Sequence, residues 1–149
     1  MSHHTATTTR RAAAATLTAA ALTFATAAVA KAPAPIVKAQ KNTEVAKTIV
    51  VNAKGATLYR LRPETTTKIL CDATCTPYWT PLTVKSAKVK PVAGPGVKGK
   101  LTVFKSGGQF RVALRGYPLY TFIGDTKPGV TSGNNAQSFG GTWHVVTAK

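Results

Sequence analysis

The chain has 149 residues and carries 20 lysines and arginines against 4 acidic residues, a formal net charge of +16. That length is enough for one domain with a modest core. The charge favours polyanionic partners, which basic proteins bind through counterion release. With two cysteines and three histidines, the composition is poor in the side chains that build catalytic and metal sites.

Residues 1–30 predict a secretory signal peptide. Arg10 and Arg11 form a positive start, and an uncharged run rich in alanine and threonine ends in Ala28-Val29-Ala30, a typical cleavage pattern. The run is too weakly apolar for a membrane-spanning helix. The arginine pair lacks the apolar residue that usually follows a twin-arginine signal, so the general secretion route is favoured.

We therefore expect a secreted, extracytoplasmic product of residues 31–149 with no transmembrane segment. No cysteine lies near residue 30, where a lipid could be attached. This product has 18 basic residues against 4 acidic ones, a net charge of +14. Outside the cytoplasm, the expected partners are anionic cell-wall polymers or lipid headgroups, with no sequence-specific binding of nucleic acid.

The first half of this product is expected to be a linker followed by a hairpin. Residues 31–47 predict a flexible linker, because Ala-Pro-Ala-Pro favours extended backbone and little of the rest alternates. Strands are predicted at 48–51 and 57–62. In the second of these, Tyr59 and Leu61 share one face, and Leu58, Arg60 and Arg62 share the other.

The second half contains the clearest β signal. Residues 63–83 are irregular, and 84–100 predict an exposed, lysine-rich connection. Strands at 101–104 and 110–114 flank a glycine-bearing hairpin loop. In the latter, Phe110, Val112 and Leu114 alternate with Arg111, Ala113 and Arg115, which predicts one buried face and one solvated, basic face.

Further strands are predicted at 119–123 and 143–147, on either side of a long polar loop. Short strands without a helical period indicate an all-β fold, and consecutive hairpins imply antiparallel pairing. The expected architecture is a small sandwich or open barrel of antiparallel hairpins.

Two parts of the chain match at a constant offset of 61 positions. The matching pairs are Gly55 and Gly116, Leu58 and Leu119, Tyr59 and Tyr120, Leu61 and Phe122, and Glu64 and Asp125. Fixed register favours two repeats, over about 49–83 and 110–147, within a single β domain spanning 48–149. We expect the two copies to be related by a pseudo-twofold axis.

In each repeat a tyrosine precedes an acidic residue, with four residues between them. Tyr120 and Asp125 could form a binding or proton-handling site. The favoured interpretation is structural: Tyr120 packs in the core, and Asp125 accepts main-chain N–H groups and fixes the following turn. Tyr59 and Glu64 are the corresponding pair.

Cys71 and Cys75 are expected to form a disulfide, as an even pair in an exported protein normally does. Four positions apart on a helical turn, their α-carbons would lie about 6 Å apart, within bridging range. A metal site would need more ligands than His144 can add. A redox pair would usually have two intervening residues, and here there are three.

The remaining motif residues favour a core role over catalysis. Trp79 and Trp143 are expected to fill the core, with carbohydrate stacking by Trp79 as the alternative. His144 is the sole histidine after residue 30 and lies in a predicted strand. Phosphate-binding loops, dinucleotide fingerprints and nucleophile elbows are missing from the sequence. We expect no catalytic residues, metal ligands or cofactor.

Basic residues cluster at two places and are the candidate polyanion-binding residues. They are Lys85, Lys88, Lys90, Lys98 and Lys100 in the connection, and Arg60, Arg62, Arg111 and Arg115 on strand faces. The lysines are not interleaved with aromatic residues, which argues against recognition of nucleic acid by base stacking.

The motifs, in this order, resemble a bacterial family of secreted repeats and predicted lipoproteins with a Tyr-x4-Asp motif. The blocks that carry the resemblance are Gly55 to Tyr59, Cys71 to Cys75, Trp79 to Leu82, Ala93 to Val97, Gly116 to Phe122, Asp125, Pro128-Gly129 and Gly141 to Trp143. The resemblance implies an exported protein without an established activity. This chain departs from it in lacking a lipidation cysteine and in having Glu64 where the motif has Asp.

Together, these features predict a secreted, non-enzymatic β domain that associates with the cell envelope and binds its anionic components through a basic surface. The alternative is an extracytoplasmic domain that binds a small ligand or a metal through Tyr120, Asp125 and the tryptophans. A hydrolase ranks third, because the sequence lacks residues for it.

Overall fold

The computed structural model describes residues 31–149, together with Met1 and His3. The predicted signal peptide therefore lies almost entirely outside the described residues. In the described part of the chain there is no helix, and none that could span a membrane. Its strands are β1 (Val37–Asn42), β2 (Lys47–Asn52), β3 (Tyr59–Arg62), β4 (Trp79–Pro81), β5 (Thr83–Val84), β6 (Leu101–Ser106), β7 (Gln109–Leu114), β8 (Tyr117–Pro118), β9 (Tyr120–Phe122), β10 (Gln137–Ser138) and β11 (Gly141–Val145).

These strands form three antiparallel sheets. One is the hairpin β1-β2, and the second has five strands in the order β10-β11-β3-β9-β4. The third has the order β5-β7-β6, with β8 also paired to β7. The predicted all-β fold of antiparallel hairpins is confirmed, and a sandwich or open barrel describes it.

The predicted flexible linker over 31–47 is wrong from Val37 onward, because Val37–Asn42 forms strand β1 and residues 43–46 form the turn into β2. All six residues of β1 pair with β2, and Val37 is completely buried. Composition did not predict β1, because this strand is stabilised by main-chain hydrogen bonds to β2, which is rich in β-branched residues. Polar residues form such main-chain bonds as well as apolar residues do.

Several shorter strands were also missed. Strands β4 and β5 lie in the stretch predicted to be irregular, and β10 lies in the predicted polar loop. The predicted strand 119–123 is shorter, Tyr120–Phe122 in β9, and is preceded by the short strand β8. The predicted strand 143–147 begins earlier, at Gly141. β4 and β5 are defined by the distant strands β9 and β7, and β10 has only two residues, so their own sequences carry little signal.

The two repeats exchange their final strands. β4 follows β3 in the first repeat but pairs with β9 of the second. β11 ends the second repeat but pairs with β3 of the first. Between these two exchanged strands, β3 and β9 pair directly, with Tyr59 opposite Tyr120. Each repeat therefore completes the sheet of the other.

Main-chain hydrogen bonds show the same correspondence. Three bonds of the first set are Val50 N to Val146 O at 2.7 Å, Leu58 N to Val50 O at 3.0 Å and Val146 N to Leu58 O at 2.9 Å. Their counterparts, in the same order, are Val112 N to Leu82 O at 2.8 Å, Leu119 N to Val112 O at 3.0 Å and Leu82 N to Leu119 O at 2.8 Å. Such matched bonds are the pattern expected of two copies related by a local pseudo-twofold axis.

Consecutive residues of the central strands contribute to two separate cores. Leu58 and Leu119 lie in one core, whereas Tyr59 and Tyr120 lie in the other. Because side chains alternate along a strand, a strand with apolar residues at two consecutive positions must be covered on both faces. The predicted separation of Leu58 from Tyr59 onto opposite faces agrees with this arrangement.

The predicted solvated face of the strand carrying Arg111 is wrong. β7 lies between β5 and β6 and also pairs with β8, and Val112, Ala113 and Leu114 are all buried. The Arg111 side chain is only 4% exposed, and its Nη1 donates to the Cys71 carbonyl oxygen at 3.2 Å. Alternation predicts one solvated face only when a sheet is covered on one side, and this strand is covered on both.

The exchange of strands predicts that neither repeat folds alone. Residues 31–100 and 101–149, produced separately, should each lack the near-ultraviolet circular dichroism of packed aromatic residues, because each exposes an unpaired sheet edge and half of a shared core. Mixed in equal amounts, they should regain the spectrum of the 31–149 chain. Cooperative thermal unfolding of residues 101–149 by themselves would contradict this prediction.

Candidate functional site

The repeated tyrosines form the centre of the structure and are closed to solvent. Tyr59 and Tyr120 are both completely buried and face each other across the pairing of β3 with β9. Burial is the main cause that raises the pKa of both phenols, reinforced by Asp125 for Tyr59 and by Glu64 for Tyr120. Both hydroxyl groups therefore stay protonated and available as hydrogen-bond donors.

Each tyrosine faces the acidic residue of the other repeat. The Tyr59 hydroxyl donates to Asp125 Oδ2 at 2.6 Å. Tyr120 lies beside Glu64, but its hydroxyl and Glu64 Oε2 have no hydrogen-bond partner of regular geometry among the described residues. The motif thus joins the two repeats to each other, which its spacing within one repeat does not reveal.

Both acidic residues also hold the loop that follows them. Glu64 Oε1 accepts hydrogen bonds from the N–H groups of Leu70 and Cys71, at 2.9 and 3.0 Å. Asp125 Oδ1 accepts the N–H of Ser132 at 3.0 Å, and also its hydroxyl. In each repeat the bonded amide lies seven positions after the acid, so the two carboxylates have equivalent loop-fixing roles.

The tryptophans complete this aromatic core. Trp79 and Trp143 stack in parallel with ring centroids 3.7 Å apart, and Phe122 stacks on Trp79 at 4.3 Å. Tyr59 meets Trp79 edge-on at 5.3 Å, and Tyr120 meets Trp143 in the same way at 5.2 Å. Both faces of Trp79 are covered, so it has no free face on which a sugar could stack.

The predicted disulfide between Cys71 and Cys75 is present, with α-carbons 5.1 Å apart. Both cysteines are completely buried in the core that contains the tryptophans. Among the described residues, no group of three or more histidine, cysteine and acidic side chains could hold a metal ion.

A different part of the molecule has the geometry of a binding site. A cleft of about 370 Å³ opens beside β3 and β11. Its lining consists of Val45, Lys47, Arg60, Arg62, Leu114, Arg115, Tyr117, Asn134, Asn135, His144, Val145, Val146 and Thr147. Five of these side chains are basic and none is acidic. We call this the basic cleft.

Strand pairing and stacking fix the cations of the basic cleft. Arg60 lies opposite His144 in the β3–β11 ladder, and the carbon atom of its guanidinium group lies 4.4 Å above the centre of the Tyr117 ring. Arg115 donates to the main-chain oxygens of Thr147 and Lys149 at 2.6 and 2.9 Å. These contacts hold two guanidinium groups in place.

The cations of the basic cleft repel one another. Burial lowers the pKa of His144, and the charges of Arg60 and Arg62 lower it further. Burial also lowers the pKa of Arg115, with a contribution from Arg60. A bound anion would relieve this repulsion.

The four acidic residues of the chain are engaged elsewhere. Glu44 accepts the N–H and hydroxyl of Thr131, and Asp72 accepts the same two groups of Thr74. With Glu64 and Asp125, all four carboxylates accept main-chain N–H bonds and fix loops. The carboxylates thus serve the fold, and the lining of the basic cleft has no counter-charge of its own.

The structure brings together only part of the predicted polyanion surface. Arg60, Arg62 and Arg115 line the basic cleft, whereas Arg111 is buried in the interior. The predicted lysines Lys85, Lys88, Lys90, Lys98 and Lys100 are exposed but lie outside the lining. Lys47, Tyr117 and His144 were not predicted as site residues, because they lie on three other strands, β2, β8 and β11, which only the tertiary structure brings beside β3.

Replacement of Asp125 by Ala should lower the free energy of unfolding by about 1–3 kcal/mol, because it leaves the buried Tyr59 hydroxyl without an acceptor. Urea unfolding of the 31–149 chain measures this loss. Asp72→Ala is the matched control, since the Asp72 carboxylate accepts its hydrogen bonds from its exposed neighbour Thr74. Equal losses in the two variants would contradict the role of Asp125 in joining the repeats.

Comparisons with known proteins agree with the repeat architecture. Comparison with curated proteins and with solved structures gave no match. Residues 101–147, the segment matched by a family model, start at the first residue of β6, include β11 and so cover the second repeat. The resemblance seen in the motifs is confirmed: residues 101–147 match the model of a family described as a secreted repeat of unknown function.

Proposed function

We propose that this secreted repeat protein is a non-enzymatic β domain that associates with the cell envelope by binding an anionic component in the basic cleft. The observation that carries the proposal is the lining of that cleft, with five basic side chains and no carboxylate. Clustered cations in a recess with low-dielectric walls focus the electric field and raise the local concentration of anions.

The charge of the rest of the chain supports the proposal. The net charge of +14 after residue 30 attracts polyanions over the whole surface, and the four carboxylates are occupied in loops. Long-range attraction would guide a polyanion to the protein, and the fixed guanidinium groups would then hold it.

The buried motif residues do not favour the alternative of a small-ligand or metal-binding domain. Tyr59, Tyr120, Trp79 and Trp143 are each at most 2% exposed. Asp125 already bonds to Tyr59 and Ser132. A ligand at this position would have to displace the contacts that join the two repeats.

A pair of charge-matched variants separates binding in the basic cleft from general attraction. Arg60→Gln with Arg62→Gln removes two charges from the cleft, and Lys85→Gln with Lys88→Gln removes two exposed charges elsewhere. Binding to isolated anionic envelope polymer at low salt should fall at least about tenfold in the first variant and stay within about threefold in the second.

The salt dependence gives a second measurement of the same site. The plot of log affinity against log salt concentration has a negative slope, and its magnitude should decrease by about 1.5 in the cleft variant, because two fewer counterions are released. Equal losses of affinity in the two variants would show that binding depends on overall charge and not on the basic cleft, and would contradict the proposal. Binding that persists undiminished at high salt would also sink the proposal.

Binding should strengthen as the pH falls through the depressed pKa of His144. Protonation adds a cation to the cleft, and a bound anion favours the protonated form, so the affinity rises by about threefold to tenfold between pH 7.5 and pH 5. Titration of the 31–149 chain with the same polymer measures this rise. His144→Gln should abolish it, and a pH response that survives in this variant would assign it to another group.

A further inference from the structure

The basic cleft continues into a second depression. That depression, also about 370 Å³, is lined by Lys47, Thr48, Thr147 and Lys149. It shares Lys47 and Thr147 with the basic cleft, so the two recesses adjoin, and we call them together the groove. The groove adds Lys149 to the five basic side chains of the cleft, and no acidic side chain lines it. Adjoining recesses lined by cations fit a chain of anionic groups better than a single small anion.

The spacing of two arginines suits successive charges of a polymer. Arg60 and Arg62 lie two positions apart on β3, and both line the groove. Residues two apart on one face of a strand are separated by about 6.8 Å. Neighbouring phosphates of an extended phosphodiester chain with a short alcohol spacer lie at a separation similar to that of these two α-carbons, so the spacing along β3 is compatible with one phosphate for each arginine.

The chemistry of the cations favours phosphate over carboxylate. The planar guanidinium group offers paired donors that match phosphate oxygens, and the groove contains three such groups. In a phosphodiester the charge lies in the backbone, so a slender chain brings its charges into the recess without bulky side groups.

The aromatic content of the groove argues against nucleic acid. Recognition of single strands relies on bases that stack on open aromatic rings. Tyr117 is the aromatic residue in the lining, and the guanidinium group of Arg60 covers its ring. The exposed apolar side chains Tyr78 and Ile123, which could enter a lipid layer, lie outside the lining.

We infer that the groove binds a linear phosphodiester polymer with a sugar-alcohol backbone, holding at least two successive phosphates with Arg60 and Arg62. The envelope partner is then an alditol-phosphate polymer and not a lipid headgroup. This inference rests on the proposed function and narrows it to one ligand class.

Fluorescence anisotropy with labelled probes tests the inference on the 31–149 chain. The probes are a synthetic oligomer of glycerol phosphate, an oligoglutamate of equal charge and an oligothymidylate of equal charge, with free glycerol phosphate as competitor. Binding to phosphatidylglycerol vesicles is measured alongside by co-sedimentation. The glycerol phosphate oligomer should bind at least about tenfold more tightly than the other two oligomers. The free monomer should compete only at concentrations at least about a hundredfold higher, because it cannot occupy two positions at once.

The variants identify the groove as the place of binding. Arg60→Gln with Arg62→Gln should abolish the preference for glycerol phosphate, and Lys85→Gln with Lys88→Gln should leave it unchanged. Equal binding of oligoglutamate, still lost in the cleft variant, would overturn the ligand class and leave the proposed function standing. Equal or tighter binding of oligothymidylate would assign the groove to nucleic acid, and tighter binding to phosphatidylglycerol vesicles would assign it to lipid. Absence of binding to every anionic probe would overturn the proposed function as well.

Discussion

The pairing of β3 with β9, with Tyr59 opposite Tyr120, is the contact on which the rest of the structure depends. It lies at the meeting point of the two repeats, and each repeat extends the sheet on the far side with a strand taken from the other. The stacked tryptophans close the same interface, because Trp79 and Trp143 come from these two exchanged strands. An aromatic core shared in this way ties the stability of each repeat to the presence of the other.

The tyrosine and the acidic residue that occur in both repeats therefore form the contact between the two repeats. A buried phenol that donates to a carboxylate forms a strong, directional hydrogen bond, and the same carboxylate fixes the next loop through main-chain N–H groups. The first repeat reproduces the loop-fixing half of this arrangement with Glu64. Glu64 is completely buried beside Tyr120, and the buried Arg111 also lies near Tyr120.

Use of the acidic residues inside the fold has a consequence for the surface. Each of the four carboxylates accepts a main-chain N–H, and with 20 lysines and arginines against these 4 acidic residues most of the cations have no acidic partner. Mutual repulsion of this kind destabilises a compact chain, and the disulfide and the closely stacked core offset it. The same imbalance gives the basic cleft its capacity to attract anions, so one distribution of charges underlies both the architecture and the proposed binding.

Sequence alone determined the all-β class, the repeat at an offset of 61, the disulfide and the opposite faces of Leu58 and Tyr59. These follow from local periodicity, register and cysteine spacing, which each segment carries in itself. The tertiary structure decided that Val37–Asn42 is a strand, that Arg111 is buried, and that His144 lies opposite Arg60. All three depend on which strands become neighbours, and in this fold the decisive neighbours come from the other repeat. Pairing across so long a stretch of chain is set by the packing of the whole core, and no local pattern encodes it.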